Sequence, residues 1–253
     1  LTKREEKVTN NMDADHGFPS RVKSDRLGML LSDRHGCYYV IGMNVIERSP
    51  CVGICTHGQM IQALWRFYAM LPPGGLRRFS LGILRDRRFI TGFYRGRASH
   101  HHHHDHVGGL LEHSVEVAMT ARMLCRQYRL DGRTADVAFL GGLLHDVGKL
   151  YLYYNVEAGE GICSQHEALN FMKLEPHLQS LMSQDPRAFE ALSACLSASI
   201  GKPLIQYMPE TIVKMADRLS AEVFNWRRVF AGLPDFYWFR KSTSDTRIYK
   251  RLD

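Results

Sequence analysis

No stretch of this 253-residue chain reaches the roughly 18 uninterrupted apolar residues of a membrane-spanning helix, so no membrane partner is expected. No charged-apolar-small leader pattern opens it. Cysteine is sparse: Cys37, Cys51, Cys55, Cys125, Cys163 and Cys195 are scattered through a chain long enough to build a core without staples. Free thiols in a reducing, cytoplasmic setting are the expectation. Cys51, Cys55 and His57 lack a matching second pair, so they do not read as a zinc site. A long internal repeat is missing too. Acid is nearly missing from one region: between Arg77 and Arg97, seven arginines face a single carboxylate, Asp86.

What is present describes a globular protein with a basic balance. Hydrophobic residues make up 45% and charged residues 23%, which excludes a disordered chain. The net charge of +7 biases the protein toward polyanions. Phe79, Phe89, Phe93 and Tyr94 are interleaved with the arginines. Guanidinium forks suit phosphate and aromatic faces suit bases, so Arg88, Arg95 and Arg97 are candidate substrate-binding residues and nucleic acid a candidate partner. A basic amphipathic helix with its aromatics in the core fits the same pattern.

The texture divides the chain into four parts. Residues 1–20 are polar and expected to be mobile. Residues 21–75 read as a small α/β part. There "LGMLLS" and "CYYVIGMNVI" flank a "DRHG" turn, and a helix over 58–71 ends at Pro72-Pro73-Gly74-Gly75. Residues 76–230 read as a helical domain, and 231–253 as a β tail turning at "STSD". The expected fold is therefore mostly α, a helical bundle with a short C-terminal β-hairpin. Within the bundle, 76–95 reads as one helix and "GGLLEHSVEVAMTARMLCRQYRL" as the next. "GRTADVAFLGGLLHDVGKL" reads as another, opened by Thr134 as N-cap, and "SQHEALNFMKL" follows. "DPRAFEALSACLSAS" has Asp185 as N-cap and Pro186 at the first helical position, and "PETIVKMADRLSAEVFNW" comes last.

Polar residues interrupt the apolar stripes of three of these helices. Leu110, His113, Val117, Ala121 and Leu124 follow the 3-4 spacing of one buried face. Ala138, Gly142 and His145 form a second line, with Phe139, Leu143 and Asp146 beside it. Val213, Asp217, Ser220 and Phe224 form a third. A buried carboxylate costs several kcal/mol unless it is paired or metal-bound. His113, His145, Asp146 and Asp217 thus make a consistent donor set for one divalent cation, and such nitrogen and oxygen donors suit Mn, Fe, Co, Ni or Zn. A hydrogen-bonded polar network is the other reading.

The order His113 in "GGLLEHS", His145-Asp146 in "LLHDVGK" and Asp217 in "MADRLSAE" resembles the HD-domain metal-dependent phosphohydrolase superfamily over residues 98–225. "HHDHVGGLLEH" (103–113) is similar to a branch holding two kinds of nucleic-acid enzyme: the HD-type relaxases of conjugative elements and the 3′-to-5′ exoribonucleases with an OB domain before the HD domain. The resemblance implies a phosphohydrolase or phosphodiesterase acting on DNA or RNA, with one or two divalent ions (Mn, Fe, Mg, Ni or Zn). Those ions would be held by His113, His145, Asp146 and Asp217, and Asp146 would bridge them. The exoribonucleases carry a Ser-His-His-Gly element before the last Asp. Here "LSACLSASIGK" has no His, so His166 or the upstream His103 and His104 would supply further ligands.

The expected catalytic residues are Asp146, Lys149 and His104. Asp146 holds metal and Lys149 offsets phosphate charge. His104 serves as ligand or general acid, a part that His103 or His106 could also take. His100 to His102 read as solvated loop and His177 as structural. Gly108 and Gly109 would fold the His run back over the metal. A nucleotidase or cyclic-nucleotide phosphodiesterase is an alternative activity, and a non-catalytic HD binding module is an alternative of another class.

Overall fold

A computed structural model describes residues 30–32, 38–40, 57–99, 104, 106–152, 166–197, 206–243 and 246–252. The polar 1–20 segment, His100 to His103, Cys51, Cys55 and the side chain of His57 lie outside the described residues. The chain forms two units, Leu1–Val52 and Gly53–Asp253. In the first, β1 (Leu30–Ser32) pairs antiparallel with β2 (Tyr38–Val40), with Leu31 opposite Tyr39. This is the hairpin expected around "DRHG".

The second unit is helical. Its order is α1 (His57–Met70), α2 (Gly75–Arg85), α3 (Arg87–Arg95), α4 (Gly109–Gln127), α5 (Gly132–Leu144), α6 (Lys149–Leu152), α7 (His166–Gln184), α8 (Pro186–Leu196) and α9 (Met208–Phe230). β3 (Phe239–Lys241) and β4 (Ile248–Lys250) close it as an antiparallel hairpin, tied to α9 by Trp226 Nε1 donating to the Lys250 carbonyl. The fold is mostly α with a short C-terminal β-hairpin. The boundary at residue 75 read from sequence leaves α1 in the N-terminal part. In the structure Phe67 of α1 stacks on Phe139 of α5 at 3.7 Å, so α1 packs into the helical unit.

Four helix boundaries correct the sequence reading. The Arg-rich segment is two helices, because Asp86 ends one and starts the next. Its N–H donates to the Gly82 and Ile83 carbonyls, and its carboxylate accepts from Phe89 N at 3.0 Å. That N–H is the main reason its carboxyl sits below the ordinary range. The N-cap of α5 is Asp131, which accepts from Thr134 N and Thr134 Oγ1 at 2.9 and 2.7 Å, so Thr134 lies inside the helix. Finally, α5 does not run through "LLHDVGKL". It stops at Leu144, and residues 145–148 form a turn before α6. The helix over "SQHEALNFMKL" also continues beyond Leu174, through Pro176 to Gln184.

The core takes in Leu110, Val117, Ala121 and Val213 from the predicted stripes and adds residues beside them. Leu110, Leu111, Val117, Ala118 and Ala121 of α4 are fully buried. They meet Leu140 and Leu144 of α5 and Val213 and Ala216 of α9 in one cluster. Burying a Leu or Val side chain contributes roughly 1.5–3 kcal/mol. Glycine lets α4 and α5 approach closely: a Cβ at Gly142 would lie 2.8 Å from Ala118 Cα and 2.9 Å from its N. The same contact brings His113 of α4 beside the end of α5, where His145 sits.

Candidate metal centre

Four donor atoms from three elements converge at the end of α5. His113 Nε2 lies 3.3 Å from Asp146 Oδ2 and 3.2 Å from Asp217 Oδ1. His145 Nε2 lies 3.5 Å from each of those same oxygens. Ligand bonds of about 2.0–2.2 Å at tetrahedral or octahedral angles place neighbouring donors roughly 3–3.5 Å apart. The spacing therefore fits a single cation, and the His113, His145 and Asp146 cluster could hold one.

Ring tautomers support this. His145 Nδ1 faces the Gly142 carbonyl at 2.8 Å, and an acceptor there requires the ring to donate from Nδ1. Nε2 is then left with its lone pair toward the carboxylates. It is buried and makes no well-directed hydrogen bond among the described residues. His113 Nδ1 faces Ser220 Oγ at 3.4 Å, so its Nε2 is also the inward atom. Two imidazole nitrogens and two carboxylate oxygens facing one another are the chemistry of a divalent transition-ion site.

Electrostatics push the same way. Burial disfavours charge on Asp146, but His145 and Lys149 outweigh it and hold its carboxyl well below the usual range. Burial likewise opposes charge on Asp217, while His113 and His145 lower its carboxyl. His145 is disfavoured as a cation by burial, yet Asp146 and Asp217 raise it. A field that draws a proton to His145 also favours a cation among these atoms.

The other expected residues divide into those gathered here and those that are not. Lys149 Nζ donates to Asp146 Oδ2 at 2.5 Å, and His166 Nε2 lies 2.7 Å from Asp146 Oδ1. Both belong to the site. His104 does not join the four-atom set. Its ring is 5.7 Å from that of His113, and its nitrogens face Glu112 at 3.5 Å and Glu116 at 3.7 Å. His103 lies outside the described residues. Arg88, Arg95 and Arg97 are exposed. The Gly96 carbonyl, between the last two, accepts from Gly108 N and Leu110 N, which sets Arg95 and Arg97 at the start of α4. Phe79, Phe89 and Phe93 are buried, at most 3% exposed, so they are core and cannot stack on bases; Tyr94 is 39% exposed.

Sequence reading missed the residue that shapes the turn. Asn170, fully buried on α7, accepts from Gly148 N at 2.7 Å and donates to the His145 and Leu196 carbonyls, the latter at 3.0 Å. Gly148 allows that approach: a Cβ there would lie 2.1 Å from the His166 carbonyl oxygen. A signal existed, since Asn170 interrupts the buried Leu174, Leu178 and Leu181 face of α7 as His113 interrupts that of α4.

Residues 80–185 match the family model of the HDOD domain. The match indicates an HD-like superfamily for that segment, in keeping with a possible metal-binding module. The HDOD segment takes in His113, His145, Asp146, Lys149, His166 and Asn170. It ends before α9, so Asp217 and Ser220 come from outside it. It reaches the superfamily and not the relaxase or exoribonuclease branch. No curated protein and no solved structure matches the chain.

Proposed function

We propose that this protein is a metal-dependent phosphohydrolase acting on phosphodiesters, with nucleic acid as its substrate class. The observation that carries this reading is the convergence of His113 Nε2, His145 Nε2, Asp146 Oδ2 and Asp217 Oδ1 within 3.2–3.5 Å. These residues would hold a divalent ion, which would supply Lewis acidity toward a phosphate oxygen and lower the pKa of water at the site. The Lys149 ammonium, 2.5 Å from Asp146 Oδ2, is near enough to offset charge on a phosphate at the site. His166, on Asp146 Oδ1, orients that carboxylate. His104 acts at one remove, through its ring contact with His113. Exposed Arg95 and Arg97, beside the start of α4, would hold the flanking phosphates, with Arg88 at the opposite, N-terminal end of α3.

Two observations favour a second reading, a binding module without turnover. Lys149 already places an internal cation on Asp146, and the HDOD segment is a module type that is often non-catalytic. Labelled single-stranded DNA, single-stranded RNA and a nucleotide panel, each incubated with the protein under Mn2+ and Mg2+, separate the two. Cleavage of a strand, lost in Asp146→Asn, is expected. Metal uptake without turnover on any of these substrates would leave the binding module standing.

A further inference from the structure

A second cluster of donors lies next to the first on the loop entering α4. Glu112 Oε2 is 2.8 Å from His106 Nε2 and 3.5 Å from His104 Nδ1. These three donor atoms lie within 4.8 Å of one another. None of the three residues contributes to the His113, His145, Asp146 and Asp217 set.

The backbone fixes this arrangement. His104 adopts φ 55°, a conformation uncommon for a non-glycine residue. Its carbonyl accepts from Ala98 N at 3.0 Å, and the His106 carbonyl accepts from Gly109 N at 2.9 Å. Gly109 is flush against this turn, since a Cβ there would lie 2.1 Å from the His104 carbonyl oxygen. Gly108, at φ 87°, starts the helix that carries Glu112. The left-handed turn at His104 thus presents its ring and that of His106 to one carboxylate.

The second nitrogen of His104 completes the pattern. His104 Nε2 faces Glu116 Oε2, one turn beyond Glu112 on α4, at 3.7 Å. A histidine that ligates through one nitrogen commonly has its other nitrogen oriented by a carboxylate, which fixes the ring and raises its basicity.

We infer that His104 Nδ1, His106 Nε2 and Glu112 Oε2 form a second metal site for one first-row transition ion of the Zn2+ or Co2+ type, with Glu116 orienting His104. Two imidazoles and a carboxylate suit such ions and leave room for solvent as a further ligand. His106 exposes 52% of its side chain and Glu112 30%, so the ion enters from solvent without opening the core. An ion there ties the loop to the first turn of α4 beside His113. The inference stands independently of the proposed activity.

Co2+ binding to the full chain, followed by equilibrium dialysis and visible absorption, tests it. Wild type is expected to bind two ions. Glu112→Gln and His106→Ala, both at partly exposed positions, are each expected to lose one ion and keep the other. An Asp146→Asn, His145→Ala double variant is expected to keep one ion, whose absorption is the part that wild type loses in Glu112→Gln. In that double variant, Co2+ should also slow proteolysis of the loop before α4. Glu112→Gln leaves His100 to His104 intact, so an unchanged ion count in this variant would mean that the histidine run binds metal by itself, and would overturn the inference. Loss of all Co2+ from the double variant would overturn it equally. Retention there, together with no strand cleavage by wild type, would defeat the phosphohydrolase reading and leave this site in place.

Discussion

Replacing Asn170 with Leu keeps most of the side-chain volume and removes the three side-chain hydrogen bonds that tie the turn after α5 to α7 and to the end of α8. The Gly148 N–H loses its acceptor, and the His145 and Leu196 carbonyls lose their donor. Asn170 is fully buried, so water does not readily replace it. A buried polar group left unsatisfied costs roughly 1–3 kcal/mol, and partial relaxation brings three of them to about 3–6 kcal/mol. That is a large share of the roughly 5–15 kcal/mol by which a domain is stable. At roughly 2–4 °C per kcal/mol for a chain of this size, Tm should fall by about 6–24 °C. Urea unfolding followed by circular dichroism measures the first effect. A second effect is local, because His145 and Asp146 ride on this turn, and metal affinity should fall as well. Leu181→Ala, a buried position on the same helix, makes the comparison; a cavity there costs about 2–5 kcal/mol and leaves the turn alone. The reasoning is refuted if Asn170→Leu unfolds within about 1 kcal/mol of wild type, taken against the scale above. It is refuted equally if metal affinity falls no further than in Leu181→Ala.

Two other predictions concern the loop before α4. Gly109→Val should displace the His104 turn, since even a Cβ meets its carbonyl oxygen at 2.1 Å; loss of the ion held by His104 and a lower Tm are expected, and unchanged metal content would contradict the packing. Burial disfavours charge on His104, but Glu112 and Glu116 outweigh it and raise its pKa to about 9 from an ordinary 6.5. In chelated protein this pair of carboxylates should add stability that is full below pH 6.5 and is lost as pH rises through about 9. At 1.36 kcal/mol per pKa unit the contribution is at most about 3 kcal/mol, and denaturant melts across that window should lose their slope in a Glu112→Gln, Glu116→Gln variant.

The helical fold and the converging His and Asp side chains were legible for one physical reason: a charged group on an apolar stripe must find a partner in the core. His113, His145, Asp146 and Asp217 each broke such a stripe, and the structure brings all four together. Boundaries were less legible. Asp86 could be read as a helical residue among arginines, and its capping role depends on ψ 97°, which no periodicity reveals. The break after Leu144 depends on Asn170, 22 residues beyond the Gly148 N–H it binds. Periodicity gives each helix its face but not the long-range hydrogen bond that ends it. His104 was read from its neighbourhood to the glycines, and left-handed backbone turned its ring toward α4 instead.

Contact between Gly142 and Ala118 brings two main chains together with no side chain between them. A gap spanned by flexible side chains can breathe, whereas backbone against backbone acts as a fixed calliper. The distance between His113 and His145 is therefore set before any ion arrives. Metal uptake at this site should then resemble filling a rigid mould: little change in amide exchange along α4 and α5, a small heat-capacity change, and a preference among cations decided by radius.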